Sequence, residues 1–294
     1  MKRVVGLGAN VLDTLIRCQR FPTEDKKMRA EGILRTGGGP VSNALVVMRR
    51  LGVETAVIGG FADDSEGKQI LSELRAFGVS TEHATILPGK SSFVSYILLS
   101  EETQSRTCLY DRGSVPDDPA LVDLSPIDSA DLLHLDGNYM QCAIRAAKYA
   151  KERGVKVSLD AGGVYEGIEA LLPLVDILIP SAEFAMAVTK TADAISATRA
   201  LAERYSPEIL VVTDGSNGGY YRDGDVVRHY DSIRVDAIDT NGAGDTFHGA
   251  WIAAYLDGMS LPDACRFASA VAAYKCRYIG ARNYDLNMSI AKDL

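Results

Sequence analysis

The run Glu208-Ile-Leu-Val-Val-Thr-Asp214 is apolar through its middle, too short for a helix, and bounded by polar residues. Such a run fits a strand covered on both faces, as in a parallel sheet with helices above and below it. The rest of the chain from Val53 keeps the same rhythm. The sequence predicts strands at Ala56–Gly59, Asp131–Leu135, Val155–Asp160 and Val175–Ile179, and helices at Ser65–Phe77 and Gln141–Arg153. A hairpin follows around Asp223-Gly224, a favoured turn pair. Strands alternating with helices require an α/β sandwich with a mostly parallel sheet.

Two patches break the rhythm. Residues 14–18 and 28–35 read as short, half-polar strands without crossover helices. Ser92–Leu99 and Arg106–Tyr110 read as a hairpin across the polar turn Glu101–Ser105. Together they predict a small second sheet projecting from a single domain over 1–294, with its strands inserted at about 13–36 and 91–111. Four short strands cannot keep both faces in water. One face is expected to cover a site; the other also carries apolar residues and predicts a homodimer held through these strands.

Composition excludes some classes of partner. The formal charge of −8 argues against nucleic acid and anionic membrane. No apolar stretch is long enough to span a bilayer. Cys18, Cys108, Cys142, Cys265 and Cys276 are scattered, odd in number and without a C-x-x-C pair, which fits a reducing compartment. Met1-Lys-Arg runs directly into Val4-Val5 with no signal-peptide core. The expectation is a cytoplasmic protein.

Chemistry concentrates in Asp239-Thr-Asn-Gly-Ala-Gly-Asp-Thr-Phe-His248. Ala243, Phe247, Ala250, Trp251 and Ala254 recur at helical spacing, so a helix is expected from about Gly242 to Leu256. Gly242, Ala243 and Gly244 then form a first turn whose N–H groups lack partners and lie at the positive end of the dipole. Two readings are open from these residues: a glycine-rich loop capped by Asp245, or an anion site beside a proton-accepting carboxylate. Earlier, Gly37-Gly-Gly-Pro-Val-Ser-Asn43 leads into an apolar helix, with Pro40 suited to its first position. A dinucleotide-binding loop at Gly6 and Gly8 is disfavoured, because the third glycine position falls on Val11 and no helix follows.

The pattern from Asp239 to Asp245 resembles the second signature of the ribokinase/PfkB family of sugar kinases. Gly38-Gly39 with Asn43, ending in Leu51-Gly52, resembles the first. The resemblance implies a ribokinase-like three-layer α/β/α sandwich with a β-sheet lid. It implies an ATP-dependent kinase that phosphorylates a hydroxyl of a small sugar, a ketose or pentose. Gly242, Ala243 and Gly244 would form the anion hole and Asp245 the catalytic base. Asp13, matching a Gly-x-x-x-x-Asp pattern from Gly8, would bind acceptor hydroxyls with Gly38, Gly39 and Asn43. Thr213, Gly215 and Gly218 would lie on the nucleotide side. Arg106 corresponds to a phosphate-facing arginine of ketohexokinase-like members. Glu183 invites comparison with a motif that holds Mg2+ through water, although Ser181 stands where that motif has Asn and the acid falls one residue early. Asp239, with carbonyls near Gly280-Ala281, would hold a monovalent cation such as K+. His248, one turn beyond Asp245, is expected to support the site rather than to do chemistry. Pro40 departs from ribokinases and ketohexokinases; Phe247-His-Gly-Ala250 is similar to sulfofructose kinases, from which Asn43 departs. A nucleoside kinase is the alternative enzyme. A non-catalytic binding protein would be expected to lose Asp245, which is present.

Overall fold

The computed structural model describes every residue except Gln104, which lies within the expected 101–105 turn. The chain opens with β1 (Arg3–Leu7), β2 (Val11–Cys18), β3 (Gly32–Gly38), α1 (Pro40–Arg50) and β4 (Glu54–Val57). β5 (Gly59–Ala62), α2 (Ser65–Ala76), β6 (Ala84–Leu87), β7 (Phe93–Ser100) and β8 (Ser105–Asp111) come next. Then follow β9 (Leu132–Leu135), α3 (Met140–Glu152), β10 (Lys156–Ala161), α4 (Ile168–Leu171), β11 (Ile177–Pro180) and α5 (Ala182–Thr189). The chain closes with α6 (Ala194–Tyr205), β12 (Ile209–Thr213), β13 (Gly219–Asp223), β14 (Val226–Tyr230), α7 (Ala243–Leu256), α8 (Leu261–Lys275) and α9 (Met288–Lys292).

The main sheet has the order β14-β13-β12-β11-β10-β9-β1-β4 among the described residues. Strands β4 through β12 of that order run parallel; the pairs β12–β13 and β13–β14 are antiparallel, so β13 alone runs against the rest. Its strands are apolar at successive positions because both faces are covered. Val4, Leu132, Ile177 and Val211 point into a core shared with α1, α2, α7 and α8. Their neighbours Val5, Leu133, Leu178 and Val212 point into a second core under α3, α4, α5 and α6. This is the three-layer ribokinase-like sandwich. None of the helices among the described residues is long and apolar enough to cross a membrane.

The four strands outside the rhythm form a separate sheet, ordered β3-β2-β7-β8. Here β2 pairs antiparallel with β3 and parallel with β7. The register differs from the sequence expectation at its edges. β3 starts at Gly32 rather than at residue 28, because Arg17, near the end of β2, pairs with Gly32. Register also sorts the faces. Asp13, Thr36 and Ser95 stand in one row, with Leu15, Leu34 and Ile97 behind them on the same face. The opposite face carries Ile16, Ile33 and Leu98, and beside them Tyr96 and Leu109. On that face Ile33, Tyr96 and Leu109 are 66%, 50% and 58% exposed. A further pair, β5 with β6, was not legible in the sequence. Gly59, at φ 116°, turns the chain out of the main sheet after β4, so the expected Ala56–Gly59 strand splits in two.

Candidate active site

The loop expected to bind an anion turns on backbone that only glycine allows at Gly242. Gly242 precedes α7 at φ 76°, and a Cβ there would come within 2.5 Å of the Ala281 Cβ. Gly244 faces the other way: a Cβ on it would meet nothing within 4 Å. It opens on a cavity of about 850 Å³. Thr213, Gly215 and Gly218 line this cavity together with Ala243, Gly244 and Phe247, so the nucleotide-side residues and the anion loop share one space. That volume suits a ligand of nucleotide size. Of the three N–H groups assigned from sequence, that of Ala243 already donates to Thr240 O at 3.2 Å. Those of Gly242, Gly244 and Asp245 make no hydrogen bond among the described residues. They are the open donors at the positive end of α7.

Asp245 stands at the inner edge of this loop, and its carboxylate is oriented from behind. Asn43, in the first turn of α1, donates from Nδ2 to Asp245 Oδ2 at 2.6 Å. The Asn43 amide is in turn fixed by Arg282, whose Nε donates to Asn43 Oδ1 at 2.7 Å. The same guanidinium donates from Nη2 to Gly38 O at 3.1 Å, tying down the loop before α1. With Arg282 on its oxygen, Asn43 can present only its NH2 to Asp245. Burial, and next the charge of Asp160, push the Asp245 carboxyl up to about 6.

Asp160, next to last in β10, meets His248 of α7, Nε2 to Oδ1 at 3.3 Å. Burial alone would raise the Asp160 carboxyl, but the charge and hydrogen bond of His248 hold it below its usual value. The His248 ring also lies 5.8 Å from that of His134 on β9. His134 is fully buried, which pulls its imidazole down to about 3 and keeps it neutral. Asp136, just past β9, is pushed up to about 6 by burial while accepting from Ala9 N and Asn138 N at 2.8 and 2.9 Å.

The acceptor-side residues assigned from sequence converge on the same place. Asp13 projects from the small sheet and accepts from Ser95 Oγ at 2.6 Å. Burial raises its carboxyl above the ordinary value, against that hydrogen bond and the charge of Arg282. Gly38 must lack a side chain, since a Cβ would sit 2.1 Å from Asp13 Oδ2. Gly39 adopts φ 96°, and a Cβ there would strike Ala9 O. Arg106, on β8, donates from Nη1 to Thr240 Oγ1 at 2.5 Å, bringing the small sheet onto the anion loop.

Two assignments fall differently. Glu183 is exposed on the first turn of α5, whose N-cap Ser181 bridges to Thr213 at the rim of the cavity. It reaches no partner among the described residues. Asp239 is buried and already engaged. It accepts from Asn241 N and Gly280 N, each at 2.8 Å, and Lys275 Nζ donates to its carbonyl at 2.8 Å.

Sequence reasoning missed Arg282, Lys275, Ser95, Asp136 and Asp160. The last two carried a signal: an acid at the carboxyl end of an otherwise apolar strand, where open α/β sheets bind ligands. Arg282 and Lys275 carried none, because a charged residue on a late segment reads as solvated surface.

Comparison with known proteins agrees with this geometry. The model of the pfkB family carbohydrate kinases matches residues 1–287. An ATP-dependent ribose-1-phosphate kinase of Halopiger xanaduensis is 27% identical over 286 residues, covering 96% of this chain and 95% of that protein. A ribokinase of Haemophilus influenzae is 27% identical over 290 residues, covering 96% and 94%. A solved structure from Agrobacterium tumefaciens superposes with a TM-score of 0.93 at 27% identity, over 99% of this chain and 96% of that one. The chain belongs to the pfkB family of carbohydrate kinases, phosphotransferases with an alcohol group as acceptor, and phosphorylates a sugar with ATP.

Proposed function

We propose that this kinase transfers the γ-phosphate of ATP to one hydroxyl of a small sugar of the pentose or ketose class, with Asp245 as general base. The observation that carries this reading is the position of Asp245. It follows Gly244, which lines the 850 Å³ cavity, and its carboxylate accepts from Asn43 on the side of the buried Asp13 and Gly38. A carboxyl near 6 is ionised at neutral pH and still basic enough to take a hydroxyl proton.

Each group then has a role in a reaction governed by placement and charge. Thr213, Gly215 and Gly218 bind on the nucleotide side. Gly242 and Gly244, with Ala243 shaping the turn, hold the transferring phosphoryl group through backbone donors. Asp13 accepts hydrogen bonds from sugar hydroxyls, and Asn43 offers its remaining N–H. Arg106 lies over the loop and faces the phosphate. Glu183, an exposed carboxylate beside the cavity rim, suits Mg2+ held through water, since that ion keeps most of its waters. Bound Mg2+ would neutralise charge on the ATP phosphates. The small sheet acts as a lid that keeps water from the acceptor site. Its uncovered face, with Ile33, Tyr96 and Leu109, is buried against a second copy in a homodimer. The five unpaired cysteines favour a reducing, cytoplasmic setting.

An ADP-release screen over pentoses, hexoses, ketoses and nucleosides tests the reading. Sugar-dependent turnover by the wild type and its loss in Asp245→Asn are expected. Turnover with nucleosides alone would transfer the assignment to that acceptor class.

A further inference from the structure

The ammonium of Lys275 occupies the place that the sequence resemblance reserves for a monovalent metal ion. Lys275 is the last residue of α8 and is 0% exposed. Its Nζ donates to Asp239 O at 2.8 Å and stands 3.8 Å from Asp239 Oδ2. That same Oδ2 accepts from Gly280 N at 2.8 Å, so the 275–281 segment closes around Asp239 from two sides. Ile238 N and Asp239 N both donate to Cys276 O, at 2.8 and 3.1 Å. These are the residues to which a K+ site would belong: the Asp239 carboxylate and carbonyls near Gly280-Ala281. They do not fit an additional cation. A contact of 2.8 Å to a carbonyl oxygen is what a K+ of that size would itself require, and the ammonium already holds it. A second positive charge a few ångströms away in a buried site would be repelled by the first.

We infer that Lys275 is a built-in monovalent cation, which fixes the segment leading into the anion loop and makes this enzyme independent of K+. The inference rests on the kinase reading only for the purpose of the loop; the placement of the charge does not. The link to the loop is short. Asp239 Oδ1 orients Asn241 N at 2.8 Å, and Gly242 with its open N–H follows directly. A tethered ammonium cannot dissociate, so the loop keeps its shape at any salt composition.

The test uses the wild-type protein and Lys275→Ala. Melting temperature and ATP affinity are measured in tetramethylammonium chloride and in KCl or RbCl at equal ionic strength. For the wild type, both quantities are expected to agree between salts, and rubidium soaked into crystals is expected to give no anomalous peak at Asp239. Saturable stabilisation of the wild type by K+, or a rubidium peak on Asp239, would overturn the inference. Lys275→Ala leaves a buried carboxylate without its cation and is expected to melt about 5–15 °C lower. Part of that loss should return with K+ or Rb+ in a saturable way. A variant that melts like the wild type would show that the ammonium holds nothing and would also overturn it. If the variant does not fold, the wild-type salt comparison and rubidium soak decide alone. None of these readouts needs the sugar, so a wrong acceptor assignment leaves them unchanged.

Discussion

Replacing Asn43 with Ala should move the pH dependence of catalysis more than the fold. Asn43 Nδ2 donates to Asp245 Oδ2 at 2.6 Å, and this bond favours the ionised carboxylate. A hydrogen bond to a charged group contributes about 1.5–3 kcal/mol, which corresponds to about 1–2 pKa units on the group that accepts it. Asp245, pushed up to about 6 in the intact site, should therefore titrate at about 7–8 in Asn43→Ala. At pH 7 the ionised fraction would fall from about nine-tenths to between about one-half and one-tenth. The acidic limb of kcat/KM against pH reports the free enzyme. That limb should shift upward by about 1–2 units, with activity recovering towards pH 9. Loss of the sugar contact that we assign to Asn43 would lower kcat/KM at every pH without moving the limb. An Asn43→Ala profile that drops uniformly and keeps its acidic limb near 6 would refute the claim that this amide tunes the base.

Four further outcomes are expected. Asp245→Asn should lower kcat by about 100- to 10,000-fold, with ATP affinity by calorimetry near that of the wild type; a rate within a few-fold of wild type would remove Asp245 from the role of base. Asp13→Ala should weaken sugar binding at least tenfold and leave ATP binding unchanged, and equal losses for both ligands would contradict separate subsites. Arg282→Met should reduce kcat through the freed Asn43 amide, and rescue by Asn43→Asp would argue against that route. Tyr96→Glu combined with Ile33→Lys should convert a dimer to a monomer in light scattering; a wild-type monomer at tens of micromolar would end the lid-dimer proposal.

The sandwich was legible because its physics is local. A strand covered on both faces must be apolar at successive positions, and Ile209 to Val212 show this directly. The small sheet was legible as an interruption of the rhythm, yet its register was not. Nothing in residues 28–31 shows that pairing stops at Gly32, because the partner Arg17 lies on another strand. Within the site, glycines carried the most information. Gly38, Gly39 and Gly242 sit where a Cβ would collide with Asp13, Ala9 and Ala281. The spacing drew attention to them before any collision could be seen. The supporting charges were illegible for the opposite reason. Arg282 lies 239 residues from Asn43 in the chain, and Lys275 lies 36 from Asp239. Their roles depend on which carbonyls and amides the fold brings within 3 Å, and residue type alone does not encode that.

The crowding of acids at the strand ends shows how one site holds several carboxylates in different states. Asp239 has a tethered ammonium on its carbonyl and two backbone donors on its oxygens. Asp160 has His248, and is held low. Asp136 has two backbone donors but no cation against it, and burial takes it up to about 6. Asp245 accepts from one amide and feels the charge of Asp160, and it too is pushed up to about 6. Groups whose surroundings drive them apart in this way mark the acid–base assignment of a site. The carboxylate that faces the open N–H groups is also one whose proton affinity lies near working pH. Asp160, which contributes to that shift, is itself kept ionised by a histidine on the same helix as Asp245. Removing the His248 partner should thus act on catalysis through Asp245. His248→Phe would leave Asp160 buried without its hydrogen-bond partner, favour protonation of Asp160 and relieve a repulsion on Asp245 that is larger than the direct pull of His248 lost with it. The acidic limb of the rate profile would then move below 6, opposite in direction to the change expected for Asn43→Ala. A limb that moves the same way in both variants would show that Asp160 does not act on the base through charge.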